Sequence, residues 1–391
     1  MREVKKAPPA KRVKKPNILL RILALGTTAA LVLGALALVV YRDAFDLAAL
    51  KRWMTYRSMP TSESGESAPF THAGGDKLSI AYLDSGAVTA SVAGAHYYGL
   101  DGGALAEEVL SMESPVLSAS RTTAVAYDAG GQALFAFRNG EERFSLSLEG
   151  GADLLSARPN DSGWLAVTAQ QSGYKGAVTV YNDRGKEVIQ ISLSSTFAVD
   201  AVLSPDCKTA AVVTMGQTGG DFFSRLLLYP VDQEEPSVQI DLGSIVVLDL
   251  DYEEDLLWIL GEDRLIAASP DGQDVRIYPF GTSYLKGCSL GGDGFAMLLT
   301  GRYRSGDADQ VLIIDGSGQA VQSIQLTSQV LDYAAAGEHC ALLTGSRLTL
   351  LDRDLSPAAT LENLQAARKV ALSDNGSALL ANDQQAWLFI P

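Results

Sequence analysis

A unit of about 40 residues recurs along most of the chain, and this recurrence is the feature that most restricts the fold. Each unit contains short apolar runs separated by turns rich in Gly, Asp, Asn and Ser, in an order typical of four strands. The first turn of successive units contains Asp84, Thr122, Asp161, Asp206, Glu254, Asp293, Glu338 and Asp374. A period near 40 residues with four strands per unit predicts an all-β fold, the β-propeller, in which each unit is one blade.

The number of blades depends on how the last unit is completed. Seven units have a clear fourth strand, but the chain stops at the third strand of the eighth unit, "AWLFIP". An open apolar edge promotes aggregation, so the missing strand must come from elsewhere in the chain. We expect Ala68–Ala73, which contains Phe70, to pair with Trp387–Ile390 and to close a ring of eight blades. The alternative is seven blades, with Lys77–Asp84 as the closing strand.

The stretch "AVAYDAGGQALFAF" (Ala124–Phe137) contains a Gly-rich turn that must be compared with phosphate-binding loops. Such a loop needs a following helix whose N-terminus faces the anion. The residues after this turn alternate like a strand, and units three and four have Gly-containing turns at the same place. We therefore interpret it as the turn between the second and third strands of the second unit.

The N-terminal segment has a different composition. Residues 1–21 hold eight of the 31 Lys and Arg residues and one of the 46 Asp and Glu residues, which predicts a basic cytoplasmic tail. Residues 22–40 are uncharged and, as a helix, would span about 28 Å, close to the thickness of a bilayer core. We expect a transmembrane helix over residues 22–41. A cleaved signal peptide is the alternative, but the apolar run is longer than the usual apolar region of such peptides.

The rest of the chain, residues 42–391, divides into three segments. Residues 42–57 have apolar residues at helical spacing and predict a juxtamembrane helix, with Trp53 and Tyr56 suited to the membrane interface. Residues 58–69 are rich in Ser, Pro, Gly and Glu and predict a linker. Residues 70–391 form the predicted propeller, which the positive-inside rule places outside the cytoplasm.

Charge also restricts the class of partner. Residues 22–391 contain 23 basic and 45 acidic residues, because residues 1–21 take eight of the 31 and one of the 46. An acidic body of this kind repels nucleic acid, so we expect no nucleic-acid partner. The basic tail could bind anionic headgroups of the inner leaflet, or it could serve only as a topology signal.

Residues that could carry chemistry are few. Three cysteines lie far apart in apolar surroundings and are expected to be free thiols: Cys207, Cys288 and Cys340. The three histidines lack the spacing of a metal or catalytic motif: His72, His96 and His339. Two Asn residues begin glycosylation sequons, which we interpret as chance matches in turns: Asn160 and Asn375. The sequence predicts no catalytic, cofactor-binding or metal-binding residue.

One acidic segment requires separate consideration. The stretch Leu248–Asp255, "LDLDYEED", gathers five carboxylates within residues 249–255, and Ca²⁺ prefers oxygen ligands. The segment lacks the spacing and the Gly of a calcium loop. We therefore expect an acidic, solvated turn, with a calcium site as the alternative.

Several stretches resemble a known bacterial family. The apolar N-terminal span, "LAALKRWMTYRSM" and "AVAYDAGGQALFAF" are similar to the domain of unknown function 5711 family. The resemblance covers nearly the whole chain and implies one N-terminal membrane helix followed by a propeller-like ectodomain. It implies no activity.

The sequence supports two functional hypotheses. The first is a membrane-anchored binding or scaffolding module of the cell envelope, with an envelope protein or a cell-wall component as partner. The second is an envelope enzyme that uses the propeller channel, such as a quinoprotein-like oxidoreductase or a lyase. Quinoprotein-like enzymes resemble one another in adjacent cysteines, a stacking Trp and acidic metal ligands, and this set does not occur here. We expect Trp164, Trp258 and Trp387 to pack between blades. Convergent charged side chains in an apolar pocket of the channel would favour the enzyme.

Overall fold

The computed structural model describes residues 25–28, 47–253, 255–364 and 366–391, in two compact units, Met1–Lys51 and Arg52–Pro391. In the first unit, residues 25–28 are helical and helix α1 (Leu47–Tyr56) begins. The predicted basic tail and most of the predicted transmembrane helix lie outside the described residues. Within the described residues, none of the helices is long and apolar enough to cross a membrane.

The second unit is a propeller of eight antiparallel four-stranded sheets, as predicted. A short strand, β1 (Phe70–Thr71), precedes blade 1. Blade 1 contains β2 (Ser79–Leu83), β3 (Gly86–Ser91), β4 (Gly94–Tyr98) and β5 (Ala104–Val109). Blade 2 contains β6 (Pro115–Ala119), β7 (Thr123–Asp128), β8 (Ala133–Arg138) and β9 (Glu141–Ser147). Blade 3 contains β10 (Leu154–Pro159), β11 (Leu165–Ala169), β12 (Ala177–Tyr181) and β13 (Glu187–Ser192). Blade 4 contains β14 (Phe197–Leu203), β15 (Thr209–Thr218), β16 (Asp221–Pro230) and β17 (Val238–Gly243).

The remaining blades repeat this order. Blade 5 contains β18 (Val247–Tyr252), β19 (Leu257–Gly261), β20 (Arg264–Ala268) and β21 (Val275–Pro279). Blade 6 contains β22 (Tyr284–Gly292), β23 (Phe295–Gly301), β24 (Gln310–Asp315) and β25 (Ala320–Gln325). Blade 7 contains β26 (Val330–Ala336), β27 (His339–Thr344), β28 (Arg347–Asp352) and β29 (Pro357–Glu362). Blade 8 contains β30 (Lys369–Leu372), β31 (Ala378–Ala381), β32 (Gln385–Phe389) and β1.

Burial follows the position of a strand within its blade. The second strands, such as β11 and β23, are buried on both faces, which explains their small apolar residues. The outermost strands, such as β9, alternate between exposed and partly buried residues, because only one face packs against a neighbour. The cores lie between blades; Val213 and Leu226 of blade 4, for example, pack with Leu250 and Ile259 of blade 5. Neighbouring innermost strands are in contact around the whole ring.

The ring is closed by the predicted strand, but that strand pairs with Gln385 and Ala386 and not with the expected Trp387–Ile390. In β1, Phe70 pairs with Ala386 of β32 and Thr71 pairs with Gln385, in antiparallel register. The alternative of seven blades is wrong, because β2, at the position of the proposed closing strand Lys77–Asp84, pairs with β3 as the innermost strand of blade 1.

Part of the predicted linker, residues 58–69, also contacts the last strand. The Ser67 amide donates to Leu388 O at 2.8 Å, and the Ile390 amide donates to Gly65 O at 2.9 Å. A Cβ on Gly65 would lie 2.5 Å from Ile390 O, so the close approach of the two backbones requires Gly. Backbone pairing of this kind needs no apolar side chains, and composition alone therefore did not indicate it.

Helix α1 differs from the sequence interpretation at one residue. Tyr56 was expected at a membrane interface, but it is 7% exposed. Its hydroxyl lies 2.5 Å from that of Tyr82 and 2.8 Å from Ser377 Oγ. Burial raises the pKa of Tyr82, and the neighbouring Tyr56 adds to the rise. The last turn of α1 is thus a fixed part of the junction between blades 1 and 8.

Candidate functional site

The antiparallel order of the strands gives each blade two distinct ends. The start of the first strand, the turn between the second and third strands, and the end of the fourth strand lie together at one end. We call this end the top face. The turns between the first and second strands lie at the opposite end, which we call the bottom face.

The innermost strands of blades 3 to 7 share a β-bulge near the top face. The pairing register shifts by one residue at the same place in each of these strands, which leaves one extra residue: Leu155, Val199, Leu248, Lys286 and Leu331. In three blades an aspartate follows the extra residue directly: Asp200, Asp249 and Asp332. A bulge redirects the side chains beside it, so the repeated bulge places apolar and acidic groups around the mouth of the channel.

Two of these aspartates are joined by one arginine from a third blade. Arg158 donates from Nη2 to Asp200 Oδ2 and to Asp249 Oδ1, both at 2.7 Å, and from Nε to Asp200 Oδ2 at 3.1 Å. Ser156 Oγ donates to Asp200 Oδ1 at 2.6 Å, and so does the Ala201 amide at 2.8 Å. Burial would lower the pKa of Arg158, but attraction by the two carboxylates raises it above its ordinary value. Arg158 therefore links blades 3, 4 and 5.

Other acidic side chains along the innermost strands have fewer partners that stabilise their negative charge than Asp200 has. Burial raises the pKa of Asp251 to about 7, and repulsion from Glu253 adds to the effect. Burial also raises the pKa of Asp332, although its carboxylate accepts a hydrogen bond from the Val370 amide at 2.9 Å. Burial and the charge of Asp249 raise the pKa of the Cys288 thiol. Burial along these innermost strands thus disfavours the charged forms of the acidic side chains and of the thiol.

A cavity of about 440 Å³ lies over the Arg158 ion pairs. The first strands of blades 2 to 5 form its wall together with Tyr127. Its apolar lining comes from Val116, Leu117, Leu155, Val199, Val247 and Leu248. Its polar lining comes from Ser118, Ser156, Arg158, Asp200 and Asp249. The cavity is large enough for one or two side chains of a partner or for a small ligand.

Exposed large apolar side chains gather around the same end of the propeller. Ten of them lie on the top face: Val109, Leu155, Tyr174, Phe197, Phe222, Val246, Leu248, Tyr284, Tyr303 and Leu331. Nine of the ten belong to blades 3 to 7 or to the connections between them. The other exposed large apolar residues of the described propeller lie on outermost strands, such as Ile277 and Val321. Ten of the fifteen large apolar side chains that are exposed in the described propeller therefore lie on the top face.

The cavity combines an apolar lining with convergent charged side chains, the feature expected to favour an enzyme, but these charges are engaged with one another. The two oxygens of Asp200 accept four hydrogen bonds, from Arg158, Ser156 and the Ala201 amide. Asp249 Oδ1 accepts from Arg158 and from the Leu250 amide at 2.9 Å. Charged groups held in this way set the shape and polarity of a pocket.

The carboxylates of the acidic segment 249–255 do not converge on one site. Asp249 faces Arg158, whereas Glu253 accepts from Trp258 Nε1 at 2.7 Å and from the Gly294 amide at 2.9 Å. Glu254 lies outside the described residues. Among the residues that the structure describes, no group of three or more His, Cys, Asp or Glu side chains is arranged to hold a metal ion.

The other residues singled out in the sequence are dispersed. The three cysteines are free thiols in blades 4, 6 and 7. His72 Nε2 donates to Asn382 O at 2.8 Å, His96 lies 3.3 Å from Glu107 and His339 lies 3.1 Å from Asp352. Three Trp side chains pack in cores between blades: Trp164, Trp258 and Trp387. Both sequon asparagines are buried in turns on the bottom face: Asn160 and Asn375.

Sequence reasoning missed Arg158, Asp200 and the bulges, although a signal was present. Four units begin with two apolar residues followed by Ser or Asp: Leu154–Ser156, Ala198–Asp200, Val247–Asp249 and Val330–Asp332. A polar residue at a fixed place in an otherwise apolar strand indicates a position that faces the channel.

The comparisons with known proteins agree with the fold. Residues 55–355 match the Family of unknown function (DUF5711). The chain belongs to this family. No curated protein sequence matches the chain.

Solved structures of low sequence identity share the propeller architecture. The computationally designed Ika8 protein has 13% identity and a TM-score of 0.57, over 85% of this chain and 98% of that chain. Apo AztD from Citrobacter koseri has 12% identity and a TM-score of 0.53, over 74% and 86% of the two chains. BamB from Moraxella catarrhalis has 14% identity and a TM-score of 0.49, over 83% and 96%. At such identities the likeness to Ika8 and AztD, whose TM-scores exceed 0.5, shows the fold alone.

Proposed function

We propose that this protein is a binding or scaffolding module of the bacterial cell envelope, held at the membrane by an N-terminal helix with the propeller outside the cytoplasm. Its top face takes a protein partner that presents apolar side chains. The observation that carries the proposal is that ten exposed large apolar residues lie on the top face, two of which, Leu155 and Leu248, line the cavity above Arg158. The apolar run of residues 22–40 and the basic residues before it support the anchor.

The physical basis of partner binding is the removal of apolar surface from water. Leu248 and Phe197 are 52% and 51% exposed on the top face. Covering such side chains contributes about 25 cal/mol for each Å² of apolar surface removed from water. The cavity provides the concave centre that anchor residues of interfaces occupy. The ion pairs of Arg158 with Asp200 and Asp249 weigh against the enzyme alternative, since these charges are engaged with one another.

Site-specific photo-crosslinking tests the proposal. A photo-reactive amino acid at Leu248 or at Phe197 in the full chain should yield one discrete adduct in the native envelope. Matched control positions are Ile277 and Val321, which are 50% and 44% exposed on outermost strands of the same propeller. Equal labelling at all four positions, or none at Leu248 and Phe197, would contradict a top-face partner.

A further inference from the structure

The part of α1 that belongs to the propeller unit, residues 52–56, contacts the bottom face through one side. Arg52 Nη1 donates to Asn375 O at 2.6 Å, and Tyr56 contacts Ser377 and Tyr82. Asn375 and Ser377 belong to the turn between β30 and β31. Arg52 and Tyr56 are four residues apart and share one side of the helix. These contacts hold this part of α1 in a fixed orientation relative to the bottom face.

The other side of the same helix is exposed and apolar. Trp53 is 62% exposed and Met54 is 63% exposed. Arg57, directly after the end of α1, is also exposed and follows Trp53 by four residues and Met54 by three. A helix that presents Trp and another large apolar residue beside basic groups is typical of segments that lie in the headgroup region of a bilayer.

Chain length and charge favour a lipid surface over a protein as the occupant of this side. The uncharged run ends at Val40, and the segment from there to Arg52 would span only about 18 Å as a helix. If residues 22–41 cross the bilayer and the segment from there to Arg52 is helical, Trp53 lies close to the bilayer surface. The exposed Arg57 adds a basic group to this side of the segment, which suits anionic headgroups. Trp is also the residue most typical of membrane interfaces.

One basic side chain of the bottom-face turns, Arg121, is surrounded by acidic groups. Arg121 lies among three carboxylates, at 3.5 Å from Asp84, 3.3 Å from Asp161 and 3.8 Å from Asp374. Carboxylates in this excess are repelled by anionic lipid, so the exposed side of α1 has to carry the contact.

We infer that the Trp53–Met54 side of α1 lies on the lipid headgroups and thereby holds the bottom face toward the bilayer and the top face away from it. This inference rests on the proposed membrane anchor. An anchor alone would not determine whether the top face, with its apolar residues, points toward the membrane or away from it. The inference determines this orientation. A partner would then approach the top face from the side remote from the membrane.

Tryptophan quenching tests the lipid contact. The full chain is reconstituted in phosphatidylcholine–phosphatidylglycerol vesicles whose acyl chains carry bromine near the headgroup. Part of the tryptophan emission should be quenched, and Trp53→Phe should abolish that quenching. Trp164→Phe is the matched control and should preserve it, because Trp164 packs in the propeller core.

Energy transfer to a lipid-bound acceptor tests the orientation. In a Cys207→Ser background, which avoids labelling of that partly exposed thiol, a donor dye is placed on the bottom face with Asp354→Cys or on the top face with Gln384→Cys, both exposed sites in neighbouring blades. Transfer should be stronger from residue 354 than from residue 384. If the protein floats with the vesicles but Trp53 is not quenched, or if transfer is equal or reversed, the inference is overturned and the anchor stands. If the protein does not float with the vesicles, the anchor fails and the inference falls with it.

Discussion

Phe70 lies opposite Ala386 in the antiparallel pair of β1 and β32, so one blade contains strands from both ends of the propeller. The Phe70 ring also lies 5.3 Å from that of Tyr98 in blade 1, measured between ring centroids. One side chain thus connects the closing strand to the neighbouring blade. Closure of this kind makes the stability of the ring depend on contacts between segments that are remote in sequence.

Phe70→Ala should lower the free energy of unfolding by about 1–3 kcal/mol, less than for a fully buried Phe because Phe70 is partly exposed. Deletion of residues 385–391 removes β32 and should abolish cooperative unfolding. Urea titrations followed by fluorescence measure both effects. Phe222→Ala, at a hairpin tip where Phe222 is 38% exposed, is the control and should change stability by about 0.5 kcal/mol or less. Equal losses for the two variants would show that closure does not depend on Phe70.

Arg158→Met should leave the carboxylates of Asp200 and Asp249 without their cation. We expect a loss of about 2–3 kcal/mol at neutral pH, below the cost at a fully buried site because the Arg158 and Asp249 side chains are 27% and 36% exposed. Acidification or a second change, Asp200→Asn, should recover part of the loss. Chemical denaturation of the single and the double variant, at neutral and at acidic pH, measures this. Arg302→Met, whose side chain is 75% exposed, should cost about 0–1 kcal/mol.

The three cysteines should react at different rates in the folded protein. Burial raises the pKa of Cys340 to about 12 and also raises that of Cys288, and only the thiolate is nucleophilic. Cys288 and Cys340 should therefore stay unreactive toward Ellman's reagent in folded protein. Because all three cysteines are free, titration of unfolded, unreduced protein should find three thiols. A count of one after unfolding would instead reveal a disulfide.

The membrane anchor can be tested at residues outside the described structure. Leu33→Arg together with Leu36→Arg places two charges near the centre of the predicted span and should cost about 2.5–3.5 kcal/mol each on insertion scales. Membrane partitioning after carbonate extraction should be lost. The conservative pair Leu33→Ile and Leu36→Ile should retain it. Wild-type protein in the soluble fraction would contradict the anchor.

Much of the fold could be predicted because it depends on local patterns. The turn residues, the small apolar second strands and the alternating outer strands recur in each unit, and each is read over a few positions. The closing strand could be predicted from a different argument, the need to cover an apolar edge.

The candidate site could not be predicted in the same way. Arg158 meets carboxylates 42 and 91 residues away, and only the curvature of the ring brings three innermost strands to the same point. The bulges shift the register by one residue, which strand alternation alone does not indicate. Tyr56 was assigned to a membrane interface from its residue type, whereas its hydroxyl contacts depend on a turn more than 300 residues later, at Ser377.

Asp251 should make stability depend on pH. Its pKa is raised to about 7 in the folded protein, so between about pH 4 and pH 7 the folded state binds the proton more tightly than the unfolded state. Stability from this group is therefore greatest at low pH and is lost as the pH rises through 7. Asp251→Asn should stabilise the protein at pH 8, by on the order of 1–3 kcal/mol, and should flatten the pH dependence.

Urea unfolding at several pH values between 5.5 and 8 separates the effect of Asp251 from the effects of other titrating groups. Glu108, whose pKa is raised to about 7 by its hydrogen bond with Glu142 and by burial, acts in the same direction and stays present in both proteins. Asp271→Asn is the matched control, because a hydrogen bond from Ser269 lowers the pKa of Asp271 and its contribution is lost only below about pH 4. That control should leave the slope between pH 5.5 and 8 unchanged. An equal slope in wild type and Asp251→Asn would show that the Asp251 carboxylate is already compensated in the folded protein.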